Sequence, residues 1–228
     1  MRQSLHTPKR LWSVVLAGGE GERVRPLIQR WLGRHRPKQY CTFVGKRSMF
    51  QHTLDRAAAL TSVNRMVTVI ARSHRREAFS QLDGRKAGMI LLQPDNRDTA
   101  AGIFLSLAYV RAYDPNAMVV IYPSDHFVYP EDRFLQTVAA GTRVVARLQD
   151  RVLLLGVLAD RPEEEYGWIQ PARVLALEGA HPIHAVSAFM EKPSPAQAED
   201  AMARGALWNT LVLMAKLSTL WNLGWCCF

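Results

Sequence analysis

The sequence predicts an α/β domain, a mostly parallel sheet flanked by helices. Three observations carry this. Short apolar, often β-branched runs alternate with stretches whose apolar residues recur every three to four positions. The connections between them are short, as where crossover helices link parallel strands. Glycines and polar side chains follow directly after strands, where open, Rossmann-like sheets bind their ligands. The chain has 228 residues, 48% hydrophobic and 21% charged, enough for one domain with a substantial core.

In chain order, residues 14–16 are the first strand, entered from Trp12-Ser13. Ser48 caps a helix running through Leu60, with Phe50, Leu54, Ala57 and Ala58 on one face. Residues 66–70 are a strand, 73–82 a helix and 89–92 a short strand. Residues 99–113 are a helix with Ile103, Leu107 and Val110 aligned; 117–121 are a strand ending at Pro123. Residues 131–148 are helical, with Phe134, Leu135, Val138, Val145 and Leu148 apolar, and 151–157 are a strand. After Leu158 the texture changes. Residues 163–171 read as a turn entering a strand, 185–190 as a strand, and 196–204 as a helix stopped by Gly205. The expectation is a single domain, 1–228, with a larger half (about 12–158) and a smaller one (about 159–228).

The net charge of +9 raises nucleic-acid binding, but no stripe interleaves the basic residues with aromatics. The densest group, Arg30 to Lys38, adjoins the glycines described next, so a small polyphosphate accounts for part of the charge. Arg72-Ser73-His74-Arg75-Arg76 reads as a solvated helix face. Nucleic acid is therefore not an expected partner. No apolar run reaches the roughly 18 residues of a bilayer span, and the basic N-terminus lacks the apolar core of a secretory signal. No membrane partner is expected, and the location expected is the cytoplasm; a homo-oligomer is compatible with the sequence. Cys41, Cys226 and Cys227 form neither a disulfide framework nor a metal spacing. His181-Pro182-Ile183-His184 has no carboxylate beside it and reads as a solvated loop.

Residues 16–40 concentrate the chemistry. The first strand stops at Gly18, Gly19 and Gly21, followed by Arg23, Arg25, Pro26 and then Arg36-Pro37-Lys38. Glycines let backbone N–H groups approach an anion, and Arg and Lys supply charge for phosphate oxygens. The dinucleotide fingerprint fails, because Val24 stands where its third glycine belongs and Pro26 argues against a helix starting close behind. A Walker loop fails too: Gly45-Lys46 is followed by Arg47, with Tyr40 where the first glycine belongs. Two later loops share the strand-end position. Gln93 offers a donor and an acceptor that suit a base edge, before a helix whose N-terminus near Thr99 favours anions. Asn96 and Asp98 there read equally as turn and cap residues. Asp125, in Tyr122-Pro123-Ser124-Asp125-His126, is a hard-oxygen ligand suited to Mg²⁺ facing a triphosphate.

The segment Leu16-Ala17-Gly18-Gly19-Glu20-Gly21-Glu22-Arg23-Val24-Arg25-Pro26-Leu27, with Pro37-Lys38 downstream, resembles the signature of the sugar nucleotidyltransferases. Four further segments look like the mannose-1-phosphate guanylyltransferase branch: Arg36-Pro37-Lys38-Gln39-Tyr40, 93–101, 122–126, and Phe189-Met190-Glu191-Lys192-Pro193 with Trp208-Asn209-Thr210. The resemblance implies the nucleotide-diphospho-sugar transferase type of fold and transfer from GTP to mannose 1-phosphate, giving GDP-mannose and pyrophosphate. It implies a nucleotide site at Leu16, Ala17, Gly18, Gly19, Gly21, Gln93, Asn96, Thr99, Ala100 and Ser124. Arg23 and Lys38 would neutralise the triphosphate, Asp125 would bind Mg²⁺, and Lys192 would hold the sugar's phosphate. Gly167, Glu191 and Asn209 would contact the sugar. Trp208 reads instead as core packing. Two alternatives stay open: an inactive or weakly active regulatory nucleotide-sugar binder, and a pyrophosphorylase for another nucleotide and hexose 1-phosphate.

The match departs from the family pattern in two places. The usual W-N-S-G stands here as Trp208-Asn209-Thr210-Leu211. Residues 211–228 also hold no Asp or Glu, whereas the family core continues and usually supplies a second acidic metal ligand. The expectation is a C-terminally truncated chain whose apolar ending, 221–228, would suit an exposed helix that engages a partner.

Overall fold

The computed structural model describes residues 5–227 apart from positions 83, 96, 149 and 180. It divides into two compact units, Met1–Val152 with Met214–Phe228, and Leu153–Leu213.

The first unit contains β1 (Leu11–Ala17), α1 (Arg25–Leu32), α2 (Met49–Leu60), β2 (Met66–Ala71), α3 (Arg75–Ser80), β3 (Met89–Gln93), α4 (Asp98–Tyr113), β4 (Met118–Pro123) and α5 (Glu131–Arg147). Its strands lie in the order β3-β2-β1-β4 and all run parallel. Val14 stands opposite Val67 on one side and Ile121 on the other. The side chains of β2 and β4 are buried throughout, and those of β1 all but once. This is why these strands are continuous apolar runs rather than alternating ones: helices cover both faces. Phe50, Leu54 and Leu107 close over the sheet. Helix α2 starts in a capping box, with Ser48 Oγ accepting from the Gln51 N–H and Gln51 Oε1 accepting from the Ser48 N–H.

Helix α1 corrects one expectation. It begins at Arg25, with Pro26 inside the first turn. A proline there loses no helical hydrogen bond and its fixed φ suits the helix, so Pro26 favours this start. The helix expected over 73–82 is a 3-10 turn, Arg72–His74, leading into the short α3.

Gly88, just before β3, has φ +66, and a Cβ there would lie 2.1 Å from the carbonyl oxygen of Met66. Backbone atoms cannot yield as a flexible side chain would. Gly88→Ala is therefore expected to cost about 3 kcal/mol, read as a lower urea midpoint at unchanged m-value.

The second unit contains β5 (Val152–Leu158), β6 (Gly167–Glu178), β7 (His181–Glu191), α6 (Pro195–Ala203) and most of β8 (Leu207–Lys216). β6 and β7 form an antiparallel hairpin; β6 also pairs antiparallel with β8, Trp168 opposite Trp208. The core of this unit is Trp168 packed on Ala198, Ala201 and Ala206, with Met190 and Trp208 beside it. Small residues on α6 make room for the indole, whose Nε1 donates to the Glu163 carbonyl. The Arg161 guanidinium lies over the Trp208 ring. His181 and His184 belong to β7 rather than to a loop. Pro182 is tolerated because β7 is the edge strand. Among the described residues no three His, Cys, Asp or Glu side chains could share a metal.

The last helix, α7 (Leu217–Cys227), packs within the first unit rather than standing free. Leu217 and Leu220 are buried, the Leu217 N–H donates to the Ala117 carbonyl, and Trp221 meets Phe104 edge-on. Arg111 lies 4.6 Å over the Trp221 ring. Leu223 and Trp225 are its exposed large apolar side chains. Among the described residues no helix is long and apolar enough to cross a membrane.

Candidate active site

In the order β3-β2-β1-β4, the chain's winding direction reverses between β1 and β4, and open α/β sheets bind ligands beyond the strand ends at such a point. The glycine loop follows β1, and Ser124-Asp125 follows β4. The two loops are tied by the Ser124 N–H donating to the Leu16 carbonyl at 3.1 Å.

The glycine loop is held from beneath. Gln39 Nε2 donates to the carbonyls of Ala17 (3.1 Å) and Gly19 (2.7 Å), and the Tyr40 hydroxyl donates to Ala17 at 3.0 Å. In a trans peptide the N–H points opposite its carbonyl. Fixing those two carbonyls inward therefore turns the N–H groups of Gly18 and Glu20 outward, toward where an anion would lie. Gly19 faces open space, with no atom within 4 Å of a Cβ placed there. Gly21 has φ +66, and a Cβ placed there would lie 3.0 Å from the backbone nitrogen and from the Cβ of Lys38. A side chain there would displace both the loop and the lysine.

Lys38 and Asp125 meet across the loop, Nζ to Oδ2 3.4 Å, both partly exposed. His126 Nε2 lies 3.7 Å from the other Asp125 oxygen. Burial lowers the pKa of His126; Asp125 opposes this, while Lys38 and Arg56 add to it. Behind this pair sits Arg56 of α2, 3% exposed. It donates to the His126 carbonyl (3.1 Å) and to Thr53 Oγ1 (2.7 Å), and pairs with Glu131 at 3.4 Å. Arg23 lies in the exposed 3-10 turn Glu22–Val24, and Arg25 is paired with Glu22.

Gln93 ends β3, 8% exposed. Its Oε1 lies 3.4 Å from a Cβ built at Gly18 and 3.3 Å from one built at Gly102. Its Nε2 is buried and has no partner among the described residues. An open cleft of about 220 Å³ adjoins it, lined also by Pro94, Asp95, Arg97, Ala101 and Leu105. Thr99 and Ala100 are exposed in the first turn of α4, which has no side-chain cap. Asn96 lies outside the described residues.

The second unit carries its own constellation. Glu191 stands opposite Gly167, and a Cβ on Gly167 would meet the Glu191 carboxylate at 2.7 Å, the Phe189 ring at 3.2 Å and Asn209 at 3.4 Å. A side chain there would push the Glu191 carboxylate aside. Lys192 follows at φ +48, exposed. Leu211 has φ +57, so the residue standing for the pattern's glycine holds the left-handed conformation that favours glycine. The turn is braced by the Leu211 N–H donating to Asn209 Oδ1 and the Thr210 hydroxyl donating to the Leu155 carbonyl.

Residues 12–224 match the family model described as nucleotidyl transferase. The chain belongs to this family. It is 30% identical over 209 residues to the alginate biosynthesis protein AlgA of Pseudomonas aeruginosa, covering 90% of this chain and 41% of that protein. It is 28% identical over 212 residues to a mannose-1-phosphate guanylyltransferase of Escherichia coli, covering 90% and 43%. The chain thus spans less than half the length of these relatives. A Thermus thermophilus crystal structure described as a mannose-1-phosphate geranyltransferase superposes with a TM-score of 0.78 at 30% identity, covering 94% of this chain and 59% of that one. The fold is of the nucleotide-diphospho-sugar transferase type.

Of the candidate residues in this nucleotidyl transferase, the first unit brings together Gly18 with Gln93, Gly21 with Lys38, Lys38 with Asp125, and Leu16 with Ser124. The second groups Gly167, Glu191 and Asn209. Arg23 lies in the turn Glu22–Val24, and Thr99 and Ala100 in the first turn of α4. Sequence reasoning gave no role to Gln39, Tyr40 or Arg56. The first two stood in the Arg36–Tyr40 motif and could have been suspected there. Arg56 has no signal, since an arginine on a helix ordinarily faces water.

Proposed function

We propose that the chain transfers the guanylyl group of GTP to mannose 1-phosphate. A phosphate oxygen of mannose 1-phosphate attacks the α-phosphorus, the bond to the β-phosphate's bridging oxygen breaks, and pyrophosphate leaves. The observation that carries this reading is the held-open glycine loop with Lys38 and Asp125 facing each other at its side. The choice of GTP and mannose rests on the names of the relatives and on the Arg36-Pro37-Lys38-Gln39 form.

Chemistry of this kind needs positioning and charge neutralisation rather than a side-chain nucleophile. The outward N–H groups of the glycine loop receive phosphate oxygens, and the Gln93 amide, its Nε2 unpaired, meets the base edge. Lys38 and Arg23 counter the charge on the triphosphate and the leaving pyrophosphate. The residues present fit Mg²⁺: Asp125 is a partly exposed single carboxylate, and Mg²⁺ is commonly held by one or two carboxylates plus substrate phosphates and water. When bound, Mg²⁺ neutralises phosphate oxygens and raises the electrophilicity of phosphorus. With Mg²⁺ held by Asp125, the Lys38 ammonium would be free to face the phosphates. Glu191 and Asn209 receive sugar hydroxyls over Gly167, and Lys192 holds the attacking phosphate.

Lys192→Ala is expected to raise the KM for mannose 1-phosphate about tenfold or more with the KM for GTP unchanged, in steady-state pyrophosphate release. Unchanged constants for both substrates would remove Lys192 from this role.

A further inference from the structure

A glutamate inside a phosphate loop is electrostatically misplaced, because a carboxylate beside phosphates repels them. Glu20 sits between Gly19 and Gly21, yet its side chain does not face the open side of the loop. Its Oε1 is 3.1 Å from Nε2 of His74, a residue only 6% exposed, and its Oε2 is 4.0 Å from Nε2 of His35. The Nδ1 atoms of both histidines are buried without a partner among the described residues. Nε2 is the His74 nitrogen that faces Glu20, and its N–H donates to the carboxylate. The His74 ring also meets Tyr40 edge-on at 5.7 Å, and Tyr40 holds the Ala17 carbonyl. One buried imidazole thus touches both the acid of the loop and the residue that holds the loop's first carbonyl.

We propose that His74 is a positioning residue for the nucleotide. By taking the Glu20 carboxylate inward it fixes the Gly18–Gly21 turn with its amides outward and keeps a negative charge off the phosphate side. Sequence reading takes His74 as part of a solvated basic helix face, so this role belongs to the fold alone. It rests on the reading that the glycine loop binds nucleotide.

The test uses the 228-residue chain with His74→Ala, His74→Gln, Glu20→Ala and the Glu20→Ala/His74→Ala pair. Two quantities are read: amide hydrogen exchange of the loop without ligand, and binding of GTP with Mg²⁺ by calorimetry. His74→Ala is expected to speed exchange across residues 18–22 and to weaken GTP binding, each about tenfold, while β2 and β4 keep their protection. His74→Gln, which retains a donor, recovers part of both. The Glu20→Ala/His74→Ala pair falls short of the sum of its single changes, because the two residues act through one contact. Glu20→Ala, which leaves the buried ring in place and removes its acceptor, covers the case in which His74→Ala does not fold, and is expected to speed exchange across the same residues. Unchanged loop exchange in the folded variants, or faster exchange with unchanged GTP affinity, overturns the role of His74 and leaves the nucleotide reading standing. If the unaltered chain binds no nucleotide, that reading falls, and this role with it.

Discussion

Asp125→Asn is expected to lower pyrophosphate release by about a thousandfold while leaving the unfolding midpoint essentially where it was. The two halves of that expectation rest on different magnitudes. The Lys38–Asp125 pair is partly exposed, and such pairs contribute about 0–1 kcal/mol, so the fold barely registers the change. A carboxylate that holds a divalent cation against a triphosphate acts where charge must be countered during transfer, and an amide oxygen carries no net charge to do so. Steady-state rates over a Mg²⁺ titration, with thermal unfolding of the same samples, check both halves. A variant within threefold of the unaltered chain would remove Asp125 from the chemistry.

Arg56→Ala is expected to cost about 3 kcal/mol of stability, or roughly 9 °C in Tm for a chain of this size. Arg56 is 3% exposed, and its guanidinium joins Glu131, Thr53 and the His126 carbonyl. Removing it leaves the hydroxyl and the carbonyl without their donor, and Glu131 without its buried partner. His52, 3.4 Å from Glu131, is a poor replacement: burial first, and then Arg47, lower its pKa, which keeps it mainly neutral near pH 7. Glu131 still reaches water, being 36% exposed, which keeps the cost at the lower end of the range for broken buried pairs. The loss also reaches the site, because the freed His126 carbonyl no longer fixes the loop that carries Asp125. Differential scanning calorimetry at pH 7.5 reads the first effect and the Mg²⁺ dependence of turnover reads the second. A Tm shift below about 3 °C would contradict the central place given to this arginine.

Much of the first unit was legible because burial there writes itself into the sequence. β1, β2 and β4 are nearly continuous apolar runs, and the Ser48 cap marked the start of α2. The glycine loop, Gln93 and Asp125 were legible because each follows directly on a strand. Contacts that depend on distant residues meeting were not. Gln39 reaches Ala17 and Gly19 from about twenty positions away, and Arg56 reaches His126 across seventy. Pro26 misled because a proline reads as a breaker unless the first residue of the helix is known. The ending, 221–228, read as an exposed helix, whereas in α7 Trp221 meets Phe104 edge-on. Leu211 shows how a backbone requirement can outlast the residue type that meets it most easily: the φ of +57 remains, braced by Asn209 and Thr210.

The central claim is nucleotidyl transfer at the glycine loop. The most direct measurement is pyrophosphate release by the purified 228-residue chain given mannose 1-phosphate, Mg²⁺ and, in parallel, GTP, UTP, ATP or dTTP. Release with GTP well above the other three is the predicted result, with GDP-mannose as the second product. No release with any nucleotide would contradict it, and release only with one other than GTP would overturn the choice of GTP.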